Sequence, residues 1–417
     1  MATGQRRWRA RAAAACAAAA AAVLAGCGAG GGAAGGPGGM AAGAAAPAAP
    51  GSAPIPVASA SAAVPPASPA ACAARAYGRL TEAQRVGQLF LVGLTADAAG
   101  PAATAALRAY HFGSLLLASP ASEGVTALAG ATSHMQSLAT QPVTGGVRFF
   151  VAANQEGGQI QPLTGPGFSA MPSALTQGTW AAGALRAAAA GWGRQLRAAG
   201  VNLDLAPVMD VVPPGGASTN APIGKLDREF GSDPAGNGRH GAAFIAGMAS
   251  AGVATVAKHF PGLGRVTGNT DYTSGVVDSV TTPDDPYLDS FRAAIGAGVP
   301  FVMVALATYT RIDAARLAVF SPAVMRLLRS GLGFGGVIVS DDLGDAAAVA
   351  SVPAGQRAIW FLDAGGDMIT SQSLPPAEAM ARAVLARATA DAGFRAEVAR
   401  AVLRILAAKQ AYGLLPC

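Results

Sequence analysis

Charge is scarce in this chain. Only 12% of its 417 residues are Asp, Glu, Lys or Arg. The net charge of +6 overstates the basicity of the body, because Arg6, Arg7, Arg9 and Arg11 stand in the first 27 residues with no acid beside them, leaving +2 for the rest. So small and scattered a charge, with no basic stripe interleaved with aromatics, excludes a nucleic-acid surface. Histidine is scarce too. His111, His134, His240 and His259 are far apart in sequence, and no cysteine or histidine cluster exists, so no metal is expected. No G-x-G-x-x-G or G-x-x-x-x-G-K-[ST] fingerprint supports a nucleotide site, and no cofactor is expected.

What is present begins with an export pattern. RRWRAR is a positive n-region, and AAAACAAAAAAVLAG is an apolar stretch too short for a comfortable membrane span. It ends in LAGC, Leu24 to Cys27, which resembles a bacterial lipobox. That resemblance implies a signal peptide over residues 1–27, cleavage before Cys27 and a lipid on its sulfur. The other reading is an ordinary secretory signal with a chance cysteine. Residues 28–72 are dominated by Ala, Gly, Pro and Ser and carry almost no charge, which reads as a flexible tether holding a domain of residues 73–417 off the membrane. Cys16 then leaves with the signal, and Cys72 and Cys417 bracket the domain. Outside the cytoplasm a disulfide is permitted, which predicts a Cys72–Cys417 bond; two free thiols are the other possibility.

Within the domain, apolar strand-like runs alternate with Ala- and Arg-rich helical patterns. Strands are expected at 88–94, 114–118, 148–153, 201–208, 253–260, 301–307, 336–341 and 367–371. Helices are expected at 102–110, 121–139, 174–199, 235–251, 286–297, 321–331, 355–362 and from 376 to the end. Near-continuous apolar strands indicate burial on both faces, as in a parallel sheet. Eight of them with crossover helices predict an α/β fold, a single-domain (β/α)8 barrel, with a doubly wound open sheet as the other arrangement. Polar residues cluster just after the strands: Asn154-Gln155-Glu156, Asp210, Lys258-His259 and Ser340-Asp341-Asp342. In a barrel these ends converge on one face.

Without a metal, a nucleotide fingerprint or a Ser-His pairing, convergent carboxylates suggest glycosyl transfer to water. A buried lysine beside the nucleophile would keep it ionised. The stretches AKHFPG, NQEGGQIQPLTGPGF, LAPVMDV, IGKLDREFG and VIVSDDL resemble glycoside hydrolase family 3, in its single-domain β-N-acetylglucosaminidase branch, over residues 76 to 415. The resemblance implies that Asp341 is the nucleophile, that Asp342 caps the next turn, and that Arg228, Lys258, His259 and Asp210 hold the sugar. Arg228 could otherwise pair with Asp227 or Glu229, and Asp210 could support its strand end.

The resemblance also exposes departures. The branch usually reads KHFPGHG, then Asp-Ser-His, whose Asp-His pair supplies the acid/base. Here the loop histidine is Leu263 and the triplet is Asn269-Thr270-Asp271. Asn154 replaces the sugar-binding Asp of DQEGG. Two accounts follow. Either Asp271 serves as a carboxylic acid/base, or 269–271 is a polar turn and the chain is a catalytically impaired sugar-binding lipoprotein. The first implies a retaining, exo-acting hydrolase releasing terminal β-linked N-acetylglucosamine from peptidoglycan fragments or chitooligosaccharides. It would act as a monomer with a carbohydrate substrate, outside the cytoplasm on a lipid anchor. Loss of a carboxylate at 154 also leaves phosphorolysis open.

Overall fold

A computed structural model describes residues 69–94 and 100–417. The signal peptide, Cys27 and residues 28–68 of the tether lie outside the described residues. The strands are β1 (Phe90–Leu94), β2 (Ser114–Leu117), β3 (Phe150–Ala153), β4 (Leu203–Asp204), β5 (Ala254–Phe260), β6 (Val277–Asp278), β7 (Phe301–Val304), β8 (Thr308–Tyr309), β9 (Val337–Asp342) and β10 (Met368–Ser371). All but β6 and β8 close into one barrel in the order β1-β10-β9-β7-β5-β4-β3-β2. Every barrel pair is parallel. This is the expected (β/α)8 architecture, and closure removes the open-sheet alternative.

The pattern that builds it is simple. The runs FLVGL, SLLL, FVAA and FVMV are buried along their whole length, packing inward on one another and outward on the helices. The helix Ala182–Ala198 buries Leu185, Ala189, Trp192 and Leu196, spaced three or four residues apart along one face. Its exposed side carries Arg and Ala. Asp233 caps the helix Pro234–Ser250 by accepting from the amides of Ala235 and Gly236, with Pro234 in the first turn where its missing N–H costs nothing.

Several expected boundaries shift. Strand four ends at Asp204 instead of 208, because Pro207 has no amide to offer the ladder; only an isolated bridge from Val208 to Lys258 follows. The stretch 174–199 divides at Gly178 into Ala174–Gln177 and Ala182–Ala198. A side chain at Gly178 would meet the Phe230 carbonyl oxygen at 1.8 Å, so the backbones touch there. The final stretch divides at Asp391, which caps Ala392–Ala411. Two helices, Pro69–Arg79 and Glu82–Gln88, precede β1 without having been expected. The first begins inside the stretch read as tether. The second opens with a capping box between Thr81 and Gln84.

Cys72 and Cys417 are bonded, with Cα atoms 6.0 Å apart across a separation of 345 residues. The pairing register slips between Ala257 and Phe260 in β5 and between Met368 and Thr370 in β10. Both irregularities lie toward the carboxyl ends of their strands, where the polar residues gather.

Candidate active site

The end of β5 delivers Lys258 and His259 through a cis peptide bond, with a second at Phe260–Pro261. Lys258 is only 2% exposed, and a buried ammonium needs a counter-charge. It finds one in Glu156, whose Oε1 lies 2.6 Å from Nζ, and a neutral acceptor in Asn154, whose Oδ1 lies at 2.8 Å. Glu156 also takes a fork from Arg228: Nε donates to Oε2 and Nη2 to Oε1, each at 2.8 Å. Arg228 Nη1 donates to the Pro222 carbonyl at 2.8 Å, fixing the guanidinium plane. Burial raises the Glu156 pKa, but the positive charges of Arg228 and Lys258 outweigh it and hold the carboxyl at about 2. The partner of Arg228 is therefore Glu156, and neither Asp227 nor Glu229. The charge of Lys258 is likewise taken by Glu156.

A second cluster adjoins the first. His259 Nδ1 lies 2.7 Å from Asp210 Oδ2. Asp210 Oδ1 accepts from the amides of His259 at 3.1 Å and Leu263 at 2.7 Å. Asp210 is wholly buried, so it both orients the imidazole and supports the strand end. Leu263 turns its side chain into the core. Asn220 ties this loop down, donating to the carbonyls of Leu263 and Val266 at 2.7 Å each. Tyr309, buried on β8, donates its hydroxyl to the Gly262 carbonyl at 2.8 Å. Burial, then the negative charges of Asp210, Asp278 and Asp341, push its pKa well up, so it stays a donor.

Asp341 and Asp342 end β9 and have different surroundings. Asp342 is buried and accepts from the amides of Gly344, Asp345 and Gln372 at 2.8, 3.1 and 3.0 Å. It is the turn support that was expected. Asp341 is partly open; its Oδ1 accepts from the neighbouring Asp342 amide at 2.8 Å.

Asp271 lies close enough to this group to feel the charges of Asp341, His259, Arg228 and Lys258. In its loop the Asn269 side chain takes the Asp271 amide at 2.9 Å, and the carbonyls of Thr270 and Asp271 accept from Ala348 and Ala347, which follow β9. The loop is thereby tied to the segment behind Asp341. Crowding of water from around its carboxyl, and then the negative charge of Asp341, raise the Asp271 pKa; His259, Arg228 and Lys258 pull it down. The residue is itself exposed to solvent. The five sugar-site candidates therefore share one mouth with both candidate carboxylates.

Two groups of this mouth have roles that the sequence does not assign. Glu156 stands in the NQEGG stretch, two residues from Asn154, yet it is the hub of both cations. Asp204 is fully buried under the site; its Oδ1 accepts from the Gln155 amide at 2.9 Å, and its Oδ2 has no hydrogen-bond partner. Burial pushes its pKa well up, which favours the protonated, neutral form.

Residues 81–407 match the glycosyl hydrolase family 3 N-terminal domain. A β-hexosaminidase of Methylococcus capsulatus is 36% identical over 257 residues, 58% of this chain and 72% of that protein. The β-hexosaminidase LpqI of Mycobacterium tuberculosis is 33% identical over 316 residues, 71% of this chain and 75% of that protein. The crystal structure of a β-N-acetylhexosaminidase from Beutenbergia cavernae superposes with a TM-score of 0.77 at 48% identity, covering 79% of this chain and 98% of that one.

Proposed function

Because the chain belongs to glycosyl hydrolase family 3, and is accordingly a glycosyl hydrolase, we propose that it is a retaining, exo-acting β-N-acetylhexosaminidase. It would release terminal β-linked N-acetylglucosamine from peptidoglycan fragments or chitooligosaccharides. The observation that carries this reading is the closeness of Asp271 to Asp341, near enough for their charges to interact, beside the Glu156–Arg228–Lys258 cluster. Two carboxyl groups with unlike surroundings are what a double-displacement glycosidase requires.

In the proposed sequence Asp341 attacks the anomeric carbon while Asp271, its pKa raised, donates a proton to the departing oxygen. The anionic Asp271 then takes a proton from the water that cleaves the glycosyl-enzyme. Lys258, Arg228, Asn154, His259 and Asp210 hold the sugar. Lys258 and Arg228 share one counter-charge between them, so they retain positive character toward sugar hydroxyls. The chain acts as a monomer outside the cytoplasm, held to the membrane through lipid on Cys27.

The names of the relatives, β-hexosaminidase and β-N-acetylhexosaminidase, favour an N-acetylated hexose over glucose or xylose. The test is hydrolysis of an aryl β-N-acetylglucosaminide beside the matching glucoside and xyloside, with the first-formed anomer read by NMR. Preference for the acetamido sugar and initial release of the β-anomer are expected. Saturable sugar binding with no product would instead identify a sugar-binding lipoprotein. Phosphate-dependent release of a sugar 1-phosphate would identify a phosphorylase.

A further inference from the structure

The face opposite the mouth carries a charge asymmetry that catalysis does not use. Strand amino ends and helix carboxyl ends meet there. Arg79, Arg108 and Arg197 stand in the last turns of the helices Pro69–Arg79, Pro101–Tyr110 and Ala182–Ala198, and Arg148 lies just before β3. All four are exposed, and none forms an ion pair among the described residues. From residue 69 to 200 the described acids are Glu82, Glu123 and Glu156. Glu156 belongs to the mouth, Glu123 precedes a helix on the mouth side, and Glu82 is held by Arg85 at 3.3 Å. On the other half of the same face most arginines are paired: Arg404 with Asp367 at 2.9 Å, Arg329 with the same carboxylate, and Arg387 with Asp363 at 2.7 Å. Four unpaired guanidiniums thus stand on the first half of the barrel, against Arg326, exposed in the last turn of the helix Pro322–Arg326, on the other.

Two of them line a cleft. Arg148 and Arg197 border a cavity of about 360 Å³ with Ser133, Gln136 and Gly413. The Arg148 amide donates to the Leu414 carbonyl at 2.9 Å, so the cleft adjoins the carboxyl terminus. That terminus is bonded through Cys417 to Cys72. The first described helix, Pro69–Arg79, therefore begins near this cleft.

We infer that this basic half-face is a docking surface for an anionic phospholipid bilayer, with the Arg148–Arg197 cleft receiving a lipid phosphate. The inference rests on the reading that the chain is held at a membrane through Cys27. One acyl signal gives marginal retention, and basic residues at the surface supply a second. Docked this way, the mouth points away from the bilayer toward the wall.

The experiment compares full-length wild type with Arg148→Ala/Arg197→Ala on vesicles of phosphatidylcholine alone and of equal parts phosphatidylcholine and phosphatidylglycerol. Both proteins carry the same N-terminal segment, so the difference isolates the face. Wild type is expected to prefer the anionic vesicles in a salt-sensitive manner, and the double variant to lose about 30-fold of that preference, from about 5-fold per arginine. Unchanged hydrolysis of a soluble aryl glycoside checks the fold of the variant. Should it not fold, Arg79→Ala and Arg108→Ala, at exposed helix ends, are each expected to cost about 5-fold. Equal binding to the two vesicle types, or variants that bind as wild type does, would overturn the inference. Mass spectrometry of the N-terminal peptide reads acylation of Cys27 separately. A chain without lipid that still prefers phosphatidylglycerol would sink the anchor and leave the basic face standing.

Discussion

Two lysines are sealed inside this barrel, and they are treated in opposite ways. Lys258, at the mouth, is met by a carboxylate and an amide. Lys409, at the base, is 0% exposed and meets only the Gln88 side-chain oxygen at 2.7 Å and the Gly113 carbonyl at 2.6 Å. Burial lowers the Lys409 pKa from 10.5 to about 7, so it is partly neutral near neutrality. The mouth thus keeps buried charge by supplying counter-charge, at a cost in desolvation that a purely structural site would avoid. The base tolerates a buried amine by letting it shed its proton. The contrast marks the mouth as the place where charge is maintained for chemistry.

The sharpest way to break that contrast is to remove the attacking group. Asp341→Ala should bring turnover of every glycoside below detection, a loss on the order of 10⁴-fold or more, while the melting temperature stays close to wild type. Asp271→Ala should slow glycosides with poor leaving groups by about 10²–10⁴-fold and activated aryl glycosides far less. Equal loss on both would remove Asp271 from the acid role.

The remaining predictions concern stability. Glu156→Gln leaves Lys258 and Arg228 sharing no carboxylate and should cost about 3–5 kcal/mol, read by urea denaturation. Wild type should also lose stability as pH falls from 4.5 toward 2. The folded pKa of Glu156 is depressed to about 2, so its contribution is complete above 4.5 and is lost through that window. Cys72→Ser/Cys417→Ser opens the longest loop in the domain and should cost about 2–4 kcal/mol.

Lys409→Met should give the smallest change and the most distinctive pH signature. The folded pKa lies below the unfolded one, so the unfolded chain binds more protons between about 7 and 10.5 and wild-type stability rises with pH there. Between pH 7 and about pH 9 the rise should reach roughly 2 kcal/mol, and the methionine variant should abolish it. A rise that persists in the variant would assign it to other groups.

The barrel was legible because each strand is an uninterrupted apolar run, and such runs leave few arrangements other than a parallel sheet covered on both sides. The helix Pro69–Arg79 was not, because its alanines continue the composition of the tether, and only packing against the last helix distinguishes them. In the mouth, Lys258, His259 and Asp341 announce themselves at strand ends. Glu156 also follows a strand end, but its role is not legible there, since it comes from two cations contributed from about 70 and 100 residues away, at Arg228 and Lys258. Asp204 lies within VNLDLAPV as an ordinary strand acid, and its burial depends on closure of the whole barrel. Lys409 reads as a surface lysine in an amphipathic helix for the same reason.

The central claim is that Asp341 bonds covalently to a sugar seated over Lys258 and Arg228. Peptide mass spectrometry after reaction with a 5-fluoro-β-N-acetylglucosaminyl fluoride tests it directly. The account predicts one added sugar on the peptide carrying Asp341, at the first aspartate of the pair, and none in Asp341→Ala. A label on another carboxylate, or no label in a chain that turns over, would contradict it.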